Sequence, residues 1–110
     1  MDLLAAWQAG KPFGEGNAIS IEGIAGKPLL ALDASYIFRR TFDAACGLAK
    51  VEPNILFEGR TPHALLAMVE SGHGIAVIPS TLRMHRHSLR IASVTYRGMA
   101  LREPLAIFWN

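Results

Sequence analysis

The sequence predicts an α/β domain built on a mostly parallel sheet with helices on both faces, and three observations predict it. Ile75 to Ile78 is an apolar run without polar alternation, and Leu29 to Leu32 is another. Runs of that kind suit strands covered on both sides, as parallel strands are. Each run is joined to a helical pattern: one follows Leu32, and one precedes Ile75 across Gly72. Strands alternating with helices give a parallel sheet joined by right-handed crossovers.

The elements follow in order. Asp2 to Ala9 has apolar content that fits a short helix or strand, and Gly10, Pro12, Gly14 and Gly16 break any regular element after it. Residues 1–16 therefore read as a poorly ordered connector. Ala18 to Ile21 alternates and fits a short edge strand, and Ile24 to Pro28 reads as a turn leading inward. After the strand Leu29 to Leu32, Asp33-Ala34-Ser35 turns the chain, with Ser35 placed to cap a helix. From Tyr36 to Ala49 the apolar residues Phe38, Phe42, Ala45, Cys46 and Ala49 form one helical face. Arg39 and Asp43, four apart on the other face, can pair for about 0.3 kcal/mol. Glu52-Pro53 ends this segment.

Asn54 to Glu58 is the next strand. Thr61 then caps a helix whose first residue is Pro62, where a missing N–H costs nothing. Leu65, Leu66, Met68 and Val69 give that helix its buried side, and Gly72 closes it in the left-handed position glycine favours. After the strand Ile75 to Ile78, Pro79 to His85 reads as a short helix capped by Ser80. Leu89 to Val94 is a further strand, and Leu105 to Trp109 a last one. Ligands of such sheets bind beyond the carboxyl ends of the parallel strands. Here those ends are Asp33 to Tyr36, Glu58 to Thr61 and Pro79 to Thr81.

Composition narrows the function. Hydrophobic residues make up 51% of the 110 and charged ones 18%, which excludes a disordered tail and suggests a face covered by something else. A net charge of +2 is too small to argue for nucleic-acid binding. The lone Cys46 rules out an internal disulfide. Its place on an apolar helix face fits a buried reduced thiol rather than a nucleophile, and points to the cytoplasm. No membrane span, signal peptide, phosphate loop or nucleophile elbow is visible, so neither an enzyme nor a cofactor is expected. His63, His73, His85 and His87 lack further ligands at metal spacing, and the basic run Arg83 to Arg90 reads as a solvated face.

Several fragments, in order, resemble one family. Ile19-Ser20-Ile21 through Ala25-Gly26-Lys27-Pro28-Leu29-Leu30, the helix from Arg39 to Ala49 with Asp43-Ala44-Ala45-Cys46, and Pro53-Asn54-Ile55 with Glu58 and then Leu66 to Pro79 resemble the second lobe of the effector-binding domain of LysR-type transcriptional regulators. The last fragment is the most specific. The resemblance covers residues 17–109 and implies a periplasmic-binding-protein-like (type II) lobe over residues 17–110. Two departures stand out: Lys50 occupies a usual glycine position, and His73 a usual leucine or methionine position. The winged helix-turn-helix and the first lobe of the family are not visible, so the chain is expected to be a fragment or a truncated paralogue.

The resemblance also implies a role and a site. Effectors of the family bind between the lobes, so this one would supply half a pocket for a small molecule, an anion among the options. It would act on DNA only through a domain absent from this chain. Ser35 and Tyr36 offer hydroxyls near a helix N-terminus, although Ser35 can equally serve only as a cap. Arg60 can hold an anion in bidentate fashion or remain a solvated arginine, with Thr61 beside it. Asp33 can select a cationic or hydroxylated ligand or simply bond the turn. Two other readings are a homo-oligomerising interaction module with an exposed edge strand, and a lobe of a solute-binding protein.

Overall fold

The computed structural model describes residues 2–11, 13, 16–81 and 89–102. It contains strands β1 (Leu3–Gln8), β2 (Ala18–Ser20), β3 (Leu29–Leu32), β4 (Ile55–Gly59), β5 (Ile75–Pro79), β6 (Leu89–Tyr96) and β7 (Met99–Ala100), with helices α1 (Ile21–Ala25), α2 (Ile37–Ala49) and α3 (Pro62–Glu70). The strands form one sheet in the order β2-β6-β1-β5-β3-β4, with β7 paired to β6. β3 runs parallel to both β4 and β5, and β2 parallel to β6. β1 is antiparallel to both of its neighbours, β5 and β6. Five strands therefore point one way, while β1 and β7 run against them.

The apolar runs fold as their patterns dictate. All four residues of β3 are buried, as are Ile75 to Ile78 of β5. Each fully buried leucine or isoleucine contributes about 1.5–3 kcal/mol of transfer free energy. The β3-α2-β4 connection steps toward the sheet edge and β4-α3-β5 steps back across β3. Right-handed crossovers then place α2 and α3 on opposite faces. α2 buries Phe38, Thr41, Phe42, Ala45 and Cys46. Thr41 satisfies its hydroxyl by donating to the Ile37 carbonyl at 3.3 Å. α3 buries Leu65, Leu66 and Val69. Burial also pushes the Cys46 thiol up to about 11, with Asp43 adding to the effect, so it stays protonated.

Two glycines make the reversal into β5. Gly72 takes φ 79, and its N–H donates to the Val69 carbonyl at 2.9 Å while the His73 N–H donates to Met68 at 3.2 Å. That pattern satisfies two carbonyls at the end of α3. A Cβ on Gly74 would lie 2.6 Å from the Pro28 carbonyl oxygen, which accepts the Ile75 N–H at 2.9 Å. The closeness of β3's lead-in and β5 leaves no room for a side chain.

Several expectations need correction. Leu3–Gln8 is not connector but a central strand, with Leu3, Ala5, Ala6 and Trp7 buried. Its partners lie far along the chain, Leu3 against Pro79 and Trp7 against Arg90, so nothing local marks it. Ile21–Ala25 is a helical turn rather than strand end and turn, because Ser20 accepts the Gly23 N–H at 2.9 Å. β6 extends past Val94 to Tyr96 and folds back into β7 through Arg97 (φ 54) and Gly98 (φ 79), a two-residue hairpin turn. Ser80 and Thr81 form a turn, and the rest of the expected helix to His85 lies outside the described residues, as does Leu105 to Trp109.

Candidate functional site

Strands β3, β4 and β5 are parallel neighbours, so the segments leaving them share one edge of the sheet. Asp33 and Arg60 follow β3 and β4 directly. The Asp33 N–H donates to the Gly59 carbonyl at 3.0 Å, which carries the pairing of the two strands one residue further. The Tyr36 hydroxyl donates to the Arg60 carbonyl at 2.6 Å. The two turns are thus pinned to each other, and Asp33, Ser35, Tyr36, Arg60 and Thr61 are brought together.

Inside the first turn Ser35 serves Asp33. The Ser35 N–H donates to Asp33 Oδ1 at 3.0 Å, and the Ser35 hydroxyl donates to the same oxygen. These bonds, the hydroxyl's first, hold the Asp33 carboxyl below its ordinary 3.8, helped by the Arg60 and Arg39 charges. Ser35 is therefore not the cap of α2. The residue in the cap position is Tyr36, and no side chain caps the helix. With both hydroxyl protons already donated, Ser35 and Tyr36 can offer a ligand lone pairs only. The Arg39 N–H donates to the Tyr36 carbonyl at 3.1 Å, which leaves the N–H groups of Ile37 and Phe38 and the Arg60 guanidinium as donors for a ligand. Beside them the first helical residue, Ile37, is 64% exposed.

In the second turn Thr61 does what its sequence context predicts. Its hydroxyl accepts the Ala64 N–H at 3.2 Å, with Pro62 at the helix start. Thr61 is committed as a cap, although its own proton can still be donated. Arg60 is exposed, and among the described residues its guanidinium makes no hydrogen bond or ion pair.

Helical spacing pairs Arg39 with Asp43 alone, and in the structure its reach is greater. The pair forms at 2.9 Å, and Arg39 also donates to the Leu32 carbonyl at 3.0 Å and lies 3.3 Å from Glu58. Its side chain is only 11% exposed. It therefore ties α2 to the ends of β3 and β4 beneath the candidate site. Helical spacing showed only Asp43, because the other partners come from different elements.

The third strand end is engaged differently. β1 runs against β5, so Asp2 lies beside Ser80. The Asp2 N–H donates to Ser80 Oγ at 2.8 Å, and the Ser80 N–H returns to the Asp2 carbonyl at 2.9 Å. Asp2 also bridges to Arg102 in antiparallel fashion, with Arg102 Nε 2.9 Å from its carboxylate. Pro79 to Thr81 thus anchors the passage of the chain into β1. Among the described residues no three His, Cys, Asp or Glu side chains gather as a metal would require. His63 and His73 are exposed, and His85, His87 and most of the basic run lie outside the described residues.

A family model described as the LysR substrate binding domain matches residues 2–110, taking in β1 as well as the lobe that follows. The uncharacterized HTH-type transcriptional regulator YybE of Bacillus subtilis (strain 168) is 32% identical over 68 residues, 62% of this chain and 23% of that protein. The chain therefore spans less than a quarter of that relative. The effector binding domain of QuiR, in complex with shikimate, superposes with a TM-score of 0.77 at 15% identity, covering 86% of this chain and 45% of the other. HinK, a LysR family transcriptional regulator from Pseudomonas aeruginosa, superposes with a TM-score of 0.75 at 19% identity, covering 86% and 33%. No helix among the described residues is long and apolar enough to cross a membrane.

Proposed function

The chain belongs to the LysR substrate-binding domain family, and from that premise we propose that it senses a small effector as one lobe of a two-lobed, cytoplasmic regulator. The observation that carries this reading is the open start of α2 beside the unpaired Arg60. Free N–H groups and a free guanidinium at one edge suit a small carboxylate. Shikimate, the ligand in the QuiR complex, is a carboxylate of that size. The effector would favour one arrangement of the lobes over another, and so bias DNA binding by a domain outside this chain. No catalytic step is part of this reading.

Half a pocket supplies half the contacts, so the chain alone should bind such ligands weakly. Titration calorimetry with small carboxylates tests this. Dissociation constants in the millimolar range, weakened further by Arg60→Gln, support the reading. Tight binding by the chain alone, or binding indifferent to Arg60→Gln, contradicts it.

A second reading, self-association, is favoured by one observation. β4 is an edge strand whose register slips between Leu29 and Leu30, and this leaves Leu56 outside the pairing and 61% exposed. An exposed apolar residue on an open edge suits a second copy. Sedimentation at several concentrations, repeated with Leu56→Lys, tests it. A monomer at every concentration rules this reading out.

A further inference from the structure

Asp33 is the feature that a site for carboxylates alone does not explain. An aspartate at the mouth of such a site repels the ligand unless the ligand has something to give it. Asp33 Oδ1 is occupied by the two Ser35 donors, while among the described residues Oδ2 has no partner. The Ser35 bonds and nearby arginine charges keep the group ionised at neutral pH, so it can only accept. Arg60 stands on the neighbouring turn with its guanidinium unpaired, close enough for its charge to act on Asp33. The Tyr36 hydroxyl, bonded to the Arg60 carbonyl at 2.6 Å, fixes the two turns relative to each other. Arg39 is engaged with Leu32, Asp43 and Glu58, and so does not neutralise Asp33 directly. The mouth thus presents one fixed acceptor beside one free cationic donor.

We propose that this mouth takes a small carboxylic acid bearing a hydrogen-bond donor, an ammonium or a hydroxyl, on a neighbouring carbon. The carboxylate meets Arg60, and the donor meets the free oxygen of Asp33. The proposal rests on the effector-sensing reading and narrows its ligand class. A charge-assisted hydrogen bond of this kind strengthens binding about ten-fold or more.

The test uses five three-carbon acids with one skeleton: propionate, lactate, 3-hydroxypropionate, alanine and β-alanine. Each is titrated to tens of millimolar into the chain, with the amide resonances of Asp33 to Phe38 and of Arg60 followed by NMR. At least one substituted acid should bind about ten-fold more tightly than propionate. Preference for the amino acids over the hydroxy acids identifies a zwitterion, and equal binding identifies any donor. Asp33→Asn should abolish the advantage over propionate, because Asn keeps the oxygen that Ser35 bonds but offers no charge. Propionate binding as tightly as the other four, or an advantage that survives Asp33→Asn, overturns the proposal and leaves carboxylate sensing standing. If none of the five acids shifts these resonances, both readings fail together. The comparison in the unsubstituted chain decides the matter even if the variant folds poorly.

Discussion

α3 opens with its own cap, whereas α2 opens without one, although both follow parallel strands and both have a hydroxyl residue beside the first turn. Thr61 accepts the Ala64 N–H at the start of α3, with Pro62 behind it. At α2 the corresponding resources go elsewhere: Ser35 to Asp33, and Tyr36 to the Arg60 carbonyl. One helix start is closed by local chemistry. The other is held in place by long-range ties, with the N–H groups of Ile37 and Phe38 free. The contrast shows nearby polar groups spent on positioning two turns rather than on capping a helix.

The largest test of that contrast is to cut the ties under α2. Arg39→Ala removes bonds to Leu32, Asp43 and Glu58 and should cost about 2 kcal/mol, discounted for the half-exposed carboxylates. Urea unfolding measures it, and a loss near the 0.3 kcal/mol of a surface helix pair would return Arg39 to that role. Thr61→Ala should cost about 1 kcal/mol, the ordinary worth of an N-cap.

The helix ends repeat the asymmetry. α3 ends on Gly72 at φ 79, but α2 ends on Lys50 at φ 57, where a side chain is strained. Lys50→Gly should stabilise the chain by about 0.5–1 kcal/mol, the left-handed penalty less the added chain entropy of glycine. A raised thermal midpoint checks this, and an unchanged or lowered one contradicts it.

Ser35→Ala should have the smallest effect, well under that of Thr61→Ala, because no helix loses a cap. Its sign with pH is also set. Asp33's folded pKa lies below 3.8, so the Ser35 contribution is present above that pH and is lost as the pH falls through the lowered value. Midpoints of the two chains should differ at neutral pH and converge in acid. A gap that persists in acid would mean that Ser35 acts through something other than Asp33.

What was legible in the sequence was what is local. Thr61-Pro62, the Gly72 reversal and the buried runs of β3 and β5 are written in adjacent residues, and they fold as read. β1 was not legible, because an antiparallel strand inserted between β5 and β6 is defined by partners beyond residue 75. Ser35 fits the cap position by sequence but does not cap α2, because Asp33, two residues earlier, competes for the same hydroxyl. At the candidate site the residue types were visible but their commitments were not. Residue types alone do not show that Asp33 spends one oxygen on Ser35, and the tie from Tyr36 to the Arg60 carbonyl crosses from one strand end to the next.

The most direct measurement compares the two helix starts in a single experiment. Amide resonances of Ile37 and Phe38 in α2, and of Ala64 and Leu65 in α3, are followed as a small carboxylate is added. Shifts confined to α2's first turn and to Arg60 are the predicted result. Equal shifts at both helix starts, or shifts at α3 alone, would contradict the account that α2's open start is where the ligand binds.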